Sequence, residues 1–214
     1  MSTPLVLHPA VPDRSVLAGP PANADEQTLE TLVHAFLDDP LFAFIFPRAE
    51  RRERDLRRLF AGSLRHAGRV GGVSTVEAGL GAAVWTPRAS MHVSIGAAWR
   101  AGMLALPLQL GLPAMRRLDT YELELDRVTG DAAGSDFAYL WMLAAHPRAQ
   151  GRGLGRAAVD LALGQMRAAG FAQCLLRTQQ PRNVSFYRHL GFREVRRHTP
   201  AWVDLETIVF ARAL

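Results

Sequence analysis

Apolar residues recur at helical spacing through Leu29, Leu32, Val33, Phe36 and Leu37, and Asp25 stands where it can cap that helix. Asp38-Asp39-Pro40 should stop it, because proline cannot continue a helix. A second helix is expected over 49–66, with Leu56, Leu59, Phe60 and Leu64 on one face and Gly71-Gly72 ending the region. Val73 to Val76 and Gly81 to Trp85 read as two strands of a hairpin joined through 77–80. Residues 90–128 are helical in pattern, with breaks at Pro107 and around Gly111-Leu112-Pro113. That segment is apolar enough either to pack on the core or to wall a ligand pocket. After a turn over 130–135, Phe137 to Ala145 is an almost unbroken apolar run, as in a strand buried on both faces. A helix over 152–169 carries Leu154, Val159, Leu161, Leu163 and Met166. A strand over 173–178, a short helix over 183–190 and strands over 191–196 and 202–211 complete the chain. At its start, Leu5-Val6-Leu7 is a short apolar segment before a loop rich in Pro, Ala and Gly over 9–24. This order of elements predicts an α/β or mixed α+β fold in a single domain, 1–214, with a helical insert at about 88–128.

Composition narrows the class of protein. The chain has 214 residues, ample for a buried core. The first residues, Met1-Ser2-Thr3-Pro4, lack the basic and apolar regions of a secretion signal. The longest apolar stretch, near Ala97 to Leu112, is interrupted by Arg100, Pro107 and Gln109 and is too short for a bilayer span. A cytoplasmic protein is expected. The one cysteine, Cys174, excludes an intrachain disulfide and reads as a core residue beside Leu175 and Leu176. Net charge is +5, and all 25 basic residues are arginine, so lysine chemistry is absent. The arginines are dispersed among acids, as in Glu50-Arg51-Arg52-Glu53-Arg54-Asp55, with no aromatic ladder to stack bases. Nucleic acid is therefore not the expected partner. No cluster of His, Asp and Glu has metal-ligand spacing, so no metal is predicted.

Candidate chemistry concentrates between Leu143 and Gly155. A buried strand ends there, a short loop follows, and Gln150-Gly151-Arg152-Gly153-Leu154-Gly155 opens an amphipathic helix. Glycines allow close approach of an anion, and first-turn N–H groups lack intrahelical partners. With the helix dipole they form a phosphate site. There is no Gly-Lys-Ser/Thr, so it is not a Walker loop, and Gly151, Gly153 and Gly155 are spaced too tightly for a dinucleotide fingerprint. By itself the pattern supports an anion site at a helix start, or a glycine-rich helix start that binds nothing.

The arrangement resembles the GNAT superfamily of N-acetyltransferases. Its pattern, Q/R-x-x-G-x-G/A after a strand ending in L-x-V-x-P, is matched by Leu143-Ala144-Ala145-His146-Pro147 and then Gln150, Gly153 and Gly155. A tyrosine four residues before Gly-Phe follows, as Tyr187 before Gly191-Phe192. A looser likeness, to the puromycin N-acetyltransferase-like branch, lies in Asp38-Asp39-Pro40 with Phe46-Pro47, Gly81 to Trp85, Pro181 to Tyr187 and the helical insert. That branch usually has Leu-Glu-Thr where this chain has Leu176-Arg177-Thr178, and Asn where Gln180 stands.

The resemblance implies an α+β (mixed α/β) GNAT fold: a central mixed, mostly antiparallel sheet flanked by helices, with a splayed strand pair at the acetyl-CoA site. It implies direct acetyl transfer from acetyl-CoA, as cosubstrate, to the amine of a small molecule or peptide. A non-catalytic acyl-CoA-binding regulatory module is the alternative. Met142, Leu143, Ala144 and Ala145 would pair with the pantetheine arm through backbone groups. Gln150, Gly151, Arg152, Gly153, Leu154, Gly155 and Arg156 would hold the pyrophosphate, and Asn183 and Phe186 would also touch the coenzyme. Arg152 and Arg156 read equally as surface arginines, and Asn183 equally as a helix cap. Tyr187 would protonate the departing thiolate, as catalytic acid. The central strand has no carboxylate to act as base, which leaves Asp136, Glu122, Glu124 and Glu206, while His34 and His146 read as structural. Phe42, Phe46, Trp85, Trp99, Met103 and Trp202 would build an acceptor pocket for a hydrophobic amine. The expected assembly is a monomer or homodimer.

Overall fold

The computed structural model describes residues 22–133 and 136–214. Leu5-Val6-Leu7 and the loop over 9–21 lie outside the described residues. The first half holds α1 (Ala22–Phe36), α2 (Pro40–Ile45), α3 (Ala49–Val70), β1 (Gly72–Val76) and β2 (Gly81–Pro87). The insert follows as α4 (Ile95–Arg100), α5 (Leu106–Leu110) and α6 (Leu112–Ala133). The second half is β3 (Ala138–Ala145), α7 (Leu154–Ala168), β4 (Gln173–Thr178), α8 (Asn183–His189), β5 (Arg193–His198) and β6 (Thr207–Ala213).

Several expected boundaries move, for local reasons. α1 begins at Ala22, so Asp25 lies inside the helix rather than at its cap, and 22–24 are not loop. Asp39 ends nothing passively: its carboxylate accepts the Leu41 N–H at 3.0 Å and starts α2, with Pro40 at the first helical position. α3 runs a turn past His66 to Gly71, where an added Cβ would meet the Trp85 carbonyl oxygen at 2.1 Å. Only glycine allows β2 to approach that closely. α6 continues through Gly130 to Ala133 in place of the expected turn, and 134–135 lie outside the described residues. The Arg88 guanidinium fills the space beside Gly130, 2.7 Å from where a Cβ would stand.

The six strands form one sheet in the order β1-β2-β3-β4-β6-β5, and only β3 and β4 run parallel. α1 and α3 cover one face and α7 the other. β3 carries a bulge: Val84 pairs with Met142 and Trp85 with Leu140, which leaves Trp141 opposite nothing. A bulge reverses the facing of every later side chain. Accordingly Ala138 and Leu140 pack with α7, whereas Met142 and Ala144 pack with α1 and α3. The bulge thus puts apolar side chains on both sides of one strand.

β3 and β4 then part. Their pairing ends at Leu140 and Leu176, although β3 runs on to Ala145 and β4 to Thr178. The result is a wedge in the centre of the sheet, with β2 still bonded along the far edge of β3 and β6 along the far edge of β4. Cys174 is fully buried below the wedge.

Candidate functional site

A cavity of about 550 Å³ opens at the wedge, a size that suits a small ligand. β3 lines it from Tyr139 to Leu143, β4 with Arg177 and Thr178, and α8 with Asn183 and Tyr187. α2, α3 and the insert close it with apolar side chains, including Phe42, Phe60, Met103, Leu106 and Leu118. Three carboxylates face it: Asp39, Asp119 and Glu122.

Tyr187 is anchored in the core by Phe186, Phe192 and Phe210, with ring centroids 5.4, 6.0 and 5.6 Å away. Among the described residues its hydroxyl makes no hydrogen bond, and the residue faces the cavity. Burial raises the phenol above its ordinary pKa, with Tyr139 and Asp39 adding to the effect, so it stays protonated at working pH. Thr178 holds the corner between β4 and α8. Its hydroxyl accepts from the Gln180 N–H at 3.2 Å and from Asn183 Nδ2 at 3.4 Å. The cap position of α8 belongs to Arg182, not Asn183, so Asn183 braces the wedge instead.

The glycine-rich turn leaves the end of β3 through a 3-10 turn at Pro147–Ala149, capped by the His146 side chain, which accepts the Arg148 N–H at 3.2 Å. Burial lowers the His146 pKa and keeps the ring neutral for that role. Gly151 and Gly153 have φ of 79° and 77°, and an added Cβ at either would meet no atom within 4 Å. The turn is therefore shaped by backbone conformation and open on its outer side. From Gln150 to Arg156 no backbone N–H finds a backbone acceptor among the described residues. The first bond of α7 is made by the Ala157 N–H to the Gly153 carbonyl at 3.0 Å. Such a row of open donors at the start of a 15-residue helix fits a pyrophosphate. Phe186 lies over this helix start, its ring tip 3.6 Å from where a Gly155 Cβ would stand. Arg152 pairs with Glu77 at 2.7 Å and Arg156 with Asp160 at 3.8 Å, both more than half exposed. Leu154 is buried beneath the turn.

Arg177 is the largest departure from expectation. Its side chain is only 3 % exposed, and it donates to the Tyr139 hydroxyl at 2.7 Å, to Glu122 at 2.5 Å and to Asp126 at 3.4 Å. Burial opposes its charge, but Glu122, Tyr139 and Asp126 outweigh that and hold its pKa above the ordinary value. The charge that looked foreign to the cleft is neutralised within it.

The sequence-derived residues divide accordingly. Met142, Leu143, Asn183 and Tyr187 line the cavity, as do Phe42 and Met103. Ala144 and Ala145 continue β3 beyond it toward the glycine-rich turn. Phe46 and Trp85 are core instead of pocket wall: Trp85 donates to Gln165 at 3.0 Å on the α7 face. Trp99 is 69 % exposed, and Trp202 donates to Glu124 on the outer side of α6. Of the carboxylates first considered as base, Glu124 binds His198 at 2.6 Å, Glu206 binds Arg197 at 2.8 Å, and Asp136 is exposed ahead of β3. Glu122 alone reaches the cavity, and Arg177 holds it. Asp39 was missed because Asp38-Asp39-Pro40 reads as a helix stop. The available signal was Pro40 itself, since Asp before Pro is also a helix start. Among the described residues no group of three or more His, Cys, Asp or Glu could hold a metal ion. Nor is any described helix long and apolar enough to cross a membrane.

Residues 120–192 match the family model for the acetyltransferase (GNAT) family. No curated protein matches the chain. A solved structure of histone acetyltransferase HPA2 and related acetyltransferase from Corynebacterium glutamicum aligns at TM-score 0.58 and 20% identity, over 91% of this chain and 93% of that one. Agmatine N-acetyltransferase aligns at TM-score 0.51 and 17% identity, over 88% of this chain and 94% of that one. A match to a chain from Agrobacterium tumefaciens is partial, covering 37% of this chain and 60% of that one at TM-score 0.34 and 16% identity. The fold is that of the GNAT acetyltransferases: a mixed α/β structure with a six-stranded, mostly antiparallel sheet flanked by helices.

Proposed function

We propose that the chain is an acetyl-CoA-dependent N-acetyltransferase of the GNAT superfamily, transferring acetyl directly to the amine of a small hydrophobic molecule. The observation that carries this reading is the continuity of the wedge. The unpaired edge of β3 past Leu140 leads straight into the open donors of Gln150 to Arg156, while Tyr187 stands at the cavity beside it. Met142 to Ala145 offer backbone groups for a pantetheine arm, and the start of α7 offers N–H groups for a pyrophosphate. A backbone N–H on the free edge would stabilise oxyanion character at the thioester, an effect on the order of 2.7–4 kcal/mol in other acyl-transfer sites. Tyr187 would give its proton to the leaving thiolate.

The buried Cys174, its thiol pushed up to about 12 by burial, is no nucleophile, in keeping with direct transfer. The cavity runs on from Met142, Leu143 and Asn183 to apolar walls on α2, α3 and the insert, room for an acceptor beyond the coenzyme, which favours the enzyme over the regulatory alternative. The insert α4–α6 before the central strand and Asp39-Pro40 at the cavity support the finer likeness to the puromycin N-acetyltransferase-like branch. A homodimer or monomer and a cytoplasmic setting belong to the same proposal.

The test has two arms. Excess acetyl-CoA should raise the melting temperature by mass action. Thiol release over a panel of arylalkylamines and alkylamines should then show turnover that falls roughly 100-fold or more in Tyr187→Phe. No thermal shift with any acyl-CoA sinks the coenzyme reading. A Phe variant as fast as the wild type removes Tyr187 from its role.

A further inference from the structure

An acceptor amine reaches a neutral site mainly as its ammonium form, because alkylamines have pKa values of about 10, like lysine. It must lose a proton before its lone pair can attack. The residues that face the cavity offer three carboxylates for this, and they are not equivalent. Glu122 is held by the Arg177 guanidinium at 2.5 Å. Asp119 is exposed on α6, and its pKa is raised by partial burial and by the Glu122 charge. Asp39 is different. Its carboxylate accepts the Leu41 N–H at 3.0 Å, with the Phe42 N–H and Gln180 also in reach, so the group has a set direction at the cavity wall. It forms no ion pair among the described residues, and its charge acts on the Tyr187 phenol, which Asp119 does not. Asp39 therefore belongs to the same end of the cavity as the residue placed at the thiolate.

We propose that Asp39 is the catalytic base, accepting the proton of the bound acceptor ammonium; this rests on the acetyltransferase reading above. One N–H bond of the ammonium breaks and the proton passes to the Asp39 carboxylate at the cavity wall. The released lone pair forms the C–N bond at the thioester carbonyl. Collapse breaks the C–S bond, and the thiolate takes the Tyr187 proton. The phenolate then recovers a proton from the nitrogen of the new amide. Asp39 returns its proton to solvent, so that ammonium and thioester give amide, thiol and one proton.

The surroundings of Asp39 suit this role. Burial raises its pKa from 3.8, against the Leu41 and Phe42 N–H groups, Gln180 and the charge of Arg182. The carboxylate is thus a stronger base than one in water. The charged and titratable groups that reach it are Arg182 ahead of α8 and Tyr187 within α8.

Asp39→Asn is the informative variant, because Asn caps a helix as well as Asp does. With acetyl-CoA and 2-phenylethylamine, thiol release should fall by roughly 10²–10⁴ in kcat, with the acetyl-CoA-induced thermal shift unchanged. Its residual rate should climb about tenfold per pH unit, following the free amine, while the wild type levels off. Wild-type kcat in Asp39→Asn, or a residual rate with the wild-type pH profile, overturns the assignment and leaves the acetyltransferase reading standing. A wild type that releases no thiol with any amine, or that shows no acetyl-CoA shift, overturns both.

Discussion

Arg177 donates its Nε–H to the Tyr139 hydroxyl at 2.7 Å, across the gap where β4 has just left β3. The guanidinium also lies over the Tyr139 ring, 4.8 Å from its centroid, and binds two carboxylates of α6. It is the clasp between the opened sheet and the insert. Replacement by methionine removes the charge and leaves Glu122 and Asp126 facing each other. Breaking one side of a buried ion pair costs about 3–5 kcal/mol. At roughly 2–4 °C per kcal/mol for a chain of this size, Arg177→Met should lower the melting temperature by about 6–20 °C. Arg177→Glu, which adds a third carboxylate, should be worse. Scanning calorimetry of the two variants decides this, and a methionine variant as stable as the wild type would show that the clasp contributes nothing.

Gly153 adopts φ of 77° with nothing near its missing Cβ. Alanine there meets no neighbour, so its cost is conformational, about 1–2 kcal/mol for an L-residue in the left-handed region. Gly153→Ala should lose that much in urea unfolding without ligand. It should also bind acetyl-CoA more weakly by calorimetry, because relaxing φ turns the N–H groups of the turn away from a common centre. Lost stability with unchanged coenzyme affinity would place the pyrophosphate elsewhere.

Periodicity and turn chemistry made most of the fold readable. β4 was expected over 173–178 and found at Gln173–Thr178, and the breaks inside the insert fell near Pro107 and Gly111. Two features that make the cavity were not readable. The bulge at Trp141 lies inside an unbroken apolar run, where no polar residue marks the change of face. The ionic clasp joins residues 51 positions or more apart, and nothing local in Leu176-Arg177-Thr178 tells that Glu122 and Asp126 wait for it. The shape of the glycine-rich turn was legible because its positive φ at Gly151 and Gly153 is a conformation that glycine declares. The residues expected to wall a pocket were legible only in part: apolar character draws a side chain inward, but whether it meets core or cavity depends on the insert.

Cys174 is fully buried, and burial pushes its thiol up to about 12. The native protein should therefore not react with a disulfide reagent on the timescale of a thiol-release assay, and one equivalent should appear in denaturant. Immediate reaction of the native chain would mean that the sheet below the wedge opens, and it would also corrupt the coenzyme-release signal.

The pH dependence of stability offers a view of Asp39 that needs neither coenzyme nor acceptor. Burial raises its folded pKa above 3.8, so the folded chain holds this proton more tightly than the unfolded chain. The stability linked to that proton is complete below pH 3.8 and is lost as pH rises through the folded value. Asp39→Asn cannot ionise and keeps it. The unfolding free energy of the variant, less that of the wild type, should therefore rise as pH increases from about 4 and become flat once Asp39 is ionised in the folded state. Other titrating groups, among them Asp126 with its own raised pKa, are common to both chains and cancel in the difference. Urea denaturation of the pair at several pH values measures it directly. A difference that does not change with pH would mean that Asp39 titrates as it does in the unfolded chain, with its carboxylate in water and not in the cavity.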